Sequence, residues 1–229
     1  MIKQIEDKLI ELTLKHRLRN LKNKDFTLIS NNCCGALIYR LLGLKYSTPT
    51  VNVIIDREYF YRFCCNLKEY CQIEMRQLNQ DECKLKKYDL NAGIIKGNNN
   101  LSDLIVYFPH DKDEAKAIEK WNYRKQRINY NNIFIMLDSH MHIDEDDLYA
   151  FDEIPYYEKV MLVGKGQATG IQNAFELSCY KKGKNIASIL CENYFKFPYI
   201  YSNIDEFDFV HWFNTSQIRI NSKAVKSNN

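Results

Sequence analysis

The chain has 229 residues, with 32 Lys+Arg against 29 Asp+Glu and a formal charge of +3, too mild a balance to point to nucleic acid. Hydrophobic residues at 45% and charged residues at 27% allow a large core and exclude a disordered or fibrous chain. With 8 Gly and 4 Pro, long linkers and Pro-rich recognition tracts are disfavoured; the expectation is a single α/β domain over residues 1–229, with a candidate division near 90–100.

The opening MIKQIEDKLIELTLKHRLRNLKNK repeats Ile2, Ile5, Leu9 and Leu12 at helical spacing with basic residues opposite, and predicts an amphipathic N-terminal helix. Lys3, Glu6, Asp7, Lys8 and Glu11 break up any apolar stretch of signal-peptide length, so a cytoplasmic location is expected. The basic face of that helix offers peripheral contact with an anionic membrane, a solvated face being the plainer reading. No run approaches the roughly 18 apolar residues of a membrane span, so no integral membrane segment is expected.

FTLIS (26–30) reads as a strand that runs into Asn31, Asn32 and a short helix through residues 36–42, stopped near Gly43. TVNVII (50–55) reads as a second strand, with Asp56 capping the helix REYFYRFCCNLKEYC. CQIEMRQ reads as a further strand, and KGNNN as an exposed turn before the strand in DLIVYF. Asp111 and Glu114 resemble a capping box that opens a helix through Arg127. NIFIML and KVMLVG are apolar strands on either side of a short helix at 144–151, and a last helix is expected at 204–213.

Strands separated by helical segments of ten to fifteen residues predict a three-layer α/β/α sandwich with a mostly parallel sheet. The nearly continuous apolar strands at 133–137 and 160–163 fit a sheet covered on both faces. Cysteines stand at positions 33, 34, 64, 65, 71, 83, 179 and 191, and their spacing matches neither a zinc ribbon nor a compact disulfide framework. Reduced thiols are expected.

In open parallel sheets, ligands bind beyond the carboxyl ends of strands, where loops enter helices. After the first strand, Ser30, Asn31, Asn32 and Cys33 turn amides and backbone N–H groups toward an anionic ligand, and the helix dipole adds to that field and favours Cys33 as a nucleophile. The plainer alternative has both Asn capping the helix and Cys33 packing as a small hydrophobe. His110 follows DLIVYF as a candidate general base, or as a residue satisfying loop backbone, and Asp138 is a carboxylate at the end of NIFIML. Lys120, Arg124 and Arg127 share one helical face, with Asn129 just beyond; the two guanidiniums can clamp a phosphate, or simply form a solvated face. Trp121 points to the core instead. His140, His142 and the acids of DSHMHIDEDD complete no metal-ligand pattern, and an acidic helix cap explains the acids. GKGQATG has the spacing G-x-G-x-x-x-G, not that of a dinucleotide loop, and reads as a turn.

The segments FTLISNNCCGALIYRLLGLKYSTPT, DLIVYFPHDKDEAKAIEKWNYRKQRINYNNIFI, FDEIPYYEKV and FDFVHWFN, in this order, resemble a bacterial family, the domain of unknown function 1919. Its members are often loosely described as exopolysaccharide biosynthesis proteins. The chain departs from the family's S-N-N-C-W-G-G by having Cys34 and Ala36 where an aromatic and a second glycine are common, and Asp111 where the family tends to show Tyr after His110. The resemblance implies a three-layer α/β sandwich and a setting in cell-surface polysaccharide assembly. It carries over no catalytic residue.

Three functions follow. The first is a transferase in surface-polysaccharide synthesis, holding a phosphorylated or nucleotide-sugar donor at the carboxyl edge of the sheet. In it Arg124 and Arg127 bind phosphate, Asn31 and Asn32 hold sugar hydroxyls, and His110 or Asp138 is the base. The second is cysteine-dependent acyl transfer or hydrolysis through Cys33 and His110. The third is a non-catalytic glycan-binding protein, for which 16 Tyr and 12 Phe would supply stacking surfaces. The expected partner is a small molecule or glycan, with no metal and no resident cofactor.

Overall fold

The computed structural model describes residues 12, 18–98, 100–139, 144–156, 158–167, 173–177 and 206–218. In chain order the elements are β1 (Thr27–Ser30), α1 (Cys34–Leu42), α2 (Arg57–Cys65), α3 (Leu67–Gln72), β2 (Arg76–Gln77), a 3-10 turn (Glu82–Leu85), β3 (Ala92–Ile95), β4 (Leu104–Tyr107), α4 (Glu114–Lys125), β5 (Ile133–Asp138), α5 (Glu145–Asp152), β6 (Lys159–Gly164), β7 (Ala174–Leu177) and α6 (Phe209–Thr215). The expected N-terminal helix falls almost wholly outside the described residues, as do His140, His142, Cys179 and Cys191.

β1, β5, β6 and β7 form a sheet in that order, every pair parallel. Alternate side chains enter two separate cores. Ile29, Ile133, Ile135, Leu137, Met161 and Val163 pack against α2 to α5, including Phe63, Trp121 and Phe151. On the other face Leu28, Phe134, Met136, Val160 and Leu162 pack against α1 and α6, through Ile38, Leu42, Trp212 and Phe213. This is the three-layer arrangement expected, and it explains why the central strands read as unbroken apolar runs.

Three expected strands differ. DLIVYF is β4 of a second, antiparallel sheet, ordered β2-β3-β4, in which it pairs with β3. The hairpin between them turns at Asn98 and Leu101, where the exposed KGNNN turn was expected. Of CQIEMRQ only Arg76–Gln77 is strand, and residues 50–55 are not a strand at all. That segment runs along the outer edge of β1. There the N–H of Ser30 donates to Thr50 Oγ1 (3.2 Å), Thr27 Oγ1 donates to Ser47 O (3.0 Å), and the N–H of Leu28 donates to the Tyr39 hydroxyl (3.0 Å). Edge groups that invite another strand are satisfied largely by side chains, so an apolar buried segment covers β1 without extending the sheet. Ile54 then bridges to Tyr107, joining the edge of one sheet to the other.

α4 is capped by Asp113, whose carboxylate accepts from the N–H of Lys116 (3.1 Å), and Asp111 pairs with Lys120 instead of forming the expected box. The capping box lies at α5, where Asp144 and Asp147 exchange side-chain and backbone bonds. That accounts for the acids of this stretch. The start of GKGQATG is a turn, with Gly166 at φ 80°.

Candidate functional site

The chain leaves β1 through Ser30-Asn31-Asn32-Cys33, and each side chain has a definite use. Ser30 Oγ donates to Asn32 O (2.8 Å) and accepts from the N–H of Gly35 (3.2 Å), folding the strand end tightly into α1. A Cβ on Gly35 would lie 2.4 Å from Ser30 Oγ, so the turn requires glycine there. Asn31 behaves like one more residue of strand pairing: its Nδ2 donates to Asp138 O (3.1 Å) and its Oδ1 accepts from the N–H of Asp138 (2.9 Å). Asn32 Nδ2 donates to Asp138 Oδ2 (2.7 Å), while its Oδ1 accepts from the N–H of Cys34 (2.9 Å) at the head of α1.

Asp138, 1% exposed, is therefore held at backbone and side chain by two neighbouring amides. A buried carboxylate is costly unless hydrogen-bonded, and this one is bonded at the end of a central strand. Cys33 is the N-cap residue of α1, 8% exposed, with its thiol 3.9 Å from Val53 O. The two Asn are engaged with Asp138, the Cys34 N–H and the loop: the N–H of Ile55 donates to Asn31 O (2.8 Å). Their main role is to hold the strand ends together, not to present amides outward.

The place matters because of where the chain goes next. From β1 it enters α1, on the face with Trp212; from the adjacent β5 it enters α5, on the face with Trp121. Neighbouring parallel strands whose helices depart to opposite faces leave a crevice between their carboxyl ends, the usual ligand position in such sheets. Ser30, Asn31, Asn32, Cys33, Asp138 and Ser139 line that opening by chain position, and are all buried.

A further polar group, not anticipated, stands at the start of α2. α2 starts at Arg57, two residues beyond the Ile55 that bonds Asn31. Its guanidinium pairs with Asp147 at 2.7 Å, and the Tyr61 hydroxyl donates to the same carboxylate (3.3 Å). Burial raises the Asp147 pKa above the usual carboxylate range, against the opposing pull of the Asp144 N–H and Arg57. Burial also pushes the Tyr61 hydroxyl up, so it stays protonated as a donor. The sequence signal was present in Asp56-Arg57, which opens a helix just after a segment that touches a strand end.

Other candidates are separated from this crevice. His110 follows β4, in the antiparallel sheet, and is exposed, so it does not stand at a carboxyl end of the parallel sheet as its position after a strand suggested. Asn129 lies at the amino edge: its N–H donates to Thr27 Oγ1 (2.8 Å) and its Nδ2 to Asp25 O (2.9 Å). Arg127 Nη1 donates to Tyr46 O (3.3 Å) on the same side, and Arg124 lies over the Tyr46 ring (5.6 Å). At about 3.3 Å per residue, the length of β1 and β5 puts roughly 10–16 Å between these groups and Asp138. Arg124, Arg127 and Asn129 therefore do not converge with Asn31 and Asn32 on one ligand. Among the described residues no group of three or more His, Cys, Asp or Glu is arranged to hold a metal ion, and no helix is long and apolar enough to cross a membrane.

Fold and site together define an α/β protein with one parallel sheet covered on both faces and a cluster of buried polar residues at the carboxyl ends of two adjacent strands. The chain belongs to the family described as Domain of unknown function (DUF1919), which it matches over residues 1–214. It is also similar to a protein of Haemophilus influenzae described as uncharacterized, with 29% identity over 196 residues, covering 86% of this chain and 87% of that protein.

Proposed function

We propose that the chain is a transferase that takes a phosphorylated or nucleotide-sugar donor into the β1–β5 crevice, in the assembly of cell-surface polysaccharide. The observation that carries this reading is the buried Asp138 carboxylate, fixed by Asn31 and Asn32 where two parallel strands diverge. A rigid carboxylate in that position suits a general base that takes the proton of an acceptor hydroxyl as the acceptor oxygen bonds the sugar's anomeric carbon and the phosphate leaves with the electrons of the broken bond. In this reading Arg57, at the start of α2, supports the donor phosphate, exchanging Asp147 for it. Cys33 stays at the crevice in this reading as a lining thiol; nucleophilic use of it would need a base other than His110.

A thermal-shift series against nucleoside-diphosphate sugars, polyprenyl-phosphate analogues and acyl-coenzyme A tests the proposal, because a ligand that binds the native state raises its melting temperature. Stabilisation by a sugar-bearing phosphate class is expected, and Asp138→Asn should keep donor binding while losing transfer. Stabilisation by acyl-coenzyme A alone, or by none of the three at millimolar concentration, overturns it.

A further inference from the structure

The arginines displaced from the crevice form a surface of their own. The Arg127 guanidinium lies over the Tyr123 ring, 4.3 Å from its centroid, and that of Arg124 over the Tyr46 ring, 5.6 Å away. Tyr46 is backed edge-on by Tyr39, whose hydroxyl donates to Phe26 O (3.1 Å), so the ring beneath Arg124 is fixed from below. Neighbouring lysines are neutralised: Lys120 pairs with Asp111, and Lys116 with Asp113. Lys45, Arg124 and Arg127 form no ion pair with a carboxylate among the described residues. Burial and the neighbouring Arg127 both disfavour the Arg124 charge, and the acid that offsets them, Asp111, is already taken by Lys120. The positive field is also visible at Tyr123, whose hydroxyl is drawn below its ordinary pKa by Arg127 and then Lys45.

We infer that Lys45, Arg124 and Arg127, set against Tyr46 and Tyr123, form an anion-binding surface for a phosphate-bearing ligand at the amino edge of the parallel sheet, separate from the β1–β5 crevice. Guanidiniums resting on aromatic rings lose less freedom when their outer N–H groups bind a phosphate in bidentate fashion. An uncompensated cluster of like charge gains most from a ligand carrying two or more negative charges. The surface stands whether or not the crevice binds a sugar donor.

The test is an amide NMR titration with inorganic pyrophosphate at low ionic strength, which separates this surface from the crevice. Saturable shifts are expected at Lys45, Tyr46, Arg124 and Arg127, weakening as salt is raised. The Arg124→Gln/Arg127→Gln pair should weaken binding there at least tenfold, and Arg124→Lys/Arg127→Lys, which keeps charge and fold, by less. Lys116→Gln and Asp138→Asn should leave it within twofold. Absence of saturable shifts at this surface, equal affinity in the Gln pair, or an equal loss in the lysine pair overturns the inference. Sedimentation with phosphatidylglycerol vesicles, against phosphatidylcholine alone, identifies the source: Arg-dependent pelleting assigns a lipid headgroup, and saturable shifts without pelleting assign a soluble phosphate.

Discussion

At the residue scale, Asn31 does the work of a strand residue with a side chain. Its amide pairs with both the N–H and the carbonyl of Asp138, where the chain itself has already turned away toward α1. Asn31→Ala leaves both buried backbone groups without that partner, which costs about 2–4 kcal/mol. For a chain of this size the melting temperature should fall by roughly 5–12 °C, read by calorimetry; an unchanged value would refute the clamp. Gly35→Ala should also destabilise, because the new methyl meets Ser30 Oγ, and Ser30→Gly in the same chain should recover much of the loss. These residues were legible in the sequence as a group, since Ser-Asn-Asn-Cys at a strand end marks a site. Their roles were not, because nothing local says that Asn31 and Asn32 reach a strand more than a hundred positions later.

At the element scale, the strands that could be read were those buried on both faces. β5 and β6 are unbroken apolar runs for that reason, whereas β3 is four residues containing a glycine and carries little signal. Residues 50–55 look like a strand because Thr50, Val51, Val53 and Ile55 are buried, yet it is the Thr50 side chain, not a ladder of backbone bonds, that meets the edge of β1. The placement of Arg124 and Arg127 could have been deduced: α4 leads directly into β5, so its last turn must lie at the amino edge of the sheet, whatever face its side chains share. The antiparallel sheet carries its own test. Arg76 bonds both oxygens of Glu82 (2.7 Å each), and with the N–H of Asn79 this lowers the Glu82 pKa from 4.5 to about 2. A depressed carboxylate contributes stability above its unfolded pKa and loses it as pH falls through the folded one. Glu82→Gln should thus be less stable than the parent at pH 7, with the difference closing between about pH 4.5 and about pH 2 in urea melts; a difference constant with pH would contradict the pairing.

At the scale of the whole molecule, the two ends of the described chain are sewn together over the core shared by α1 and α6. Asn214 Oδ1 accepts from the N–H of Lys22 (2.8 Å) and of Asn23 (3.2 Å), and its Nδ2 donates to Asn20 O (2.9 Å). Beside this join Phe134 meets Trp212 and Phe213 edge-on, and the latter two rings tilt against each other. Trp212→Ala should cost about 3–5 kcal/mol through the cavity it leaves, and Asn214→Ala should speed hydrogen exchange at Lys22 and Asn23 while leaving β5 protected. The same layering sets the crevice: α1 on one face and α5 on the other open the sheet between β1 and β5. Hydrogen-exchange mass spectrometry with the nucleoside-diphosphate sugar that stabilises the chain most reads this directly. Binding at the crevice slows exchange in residues 31–35 and 138–139, independently of any protection at 45–46 and 124–127; absence of protection from 31–35 and 138–139 would contradict it.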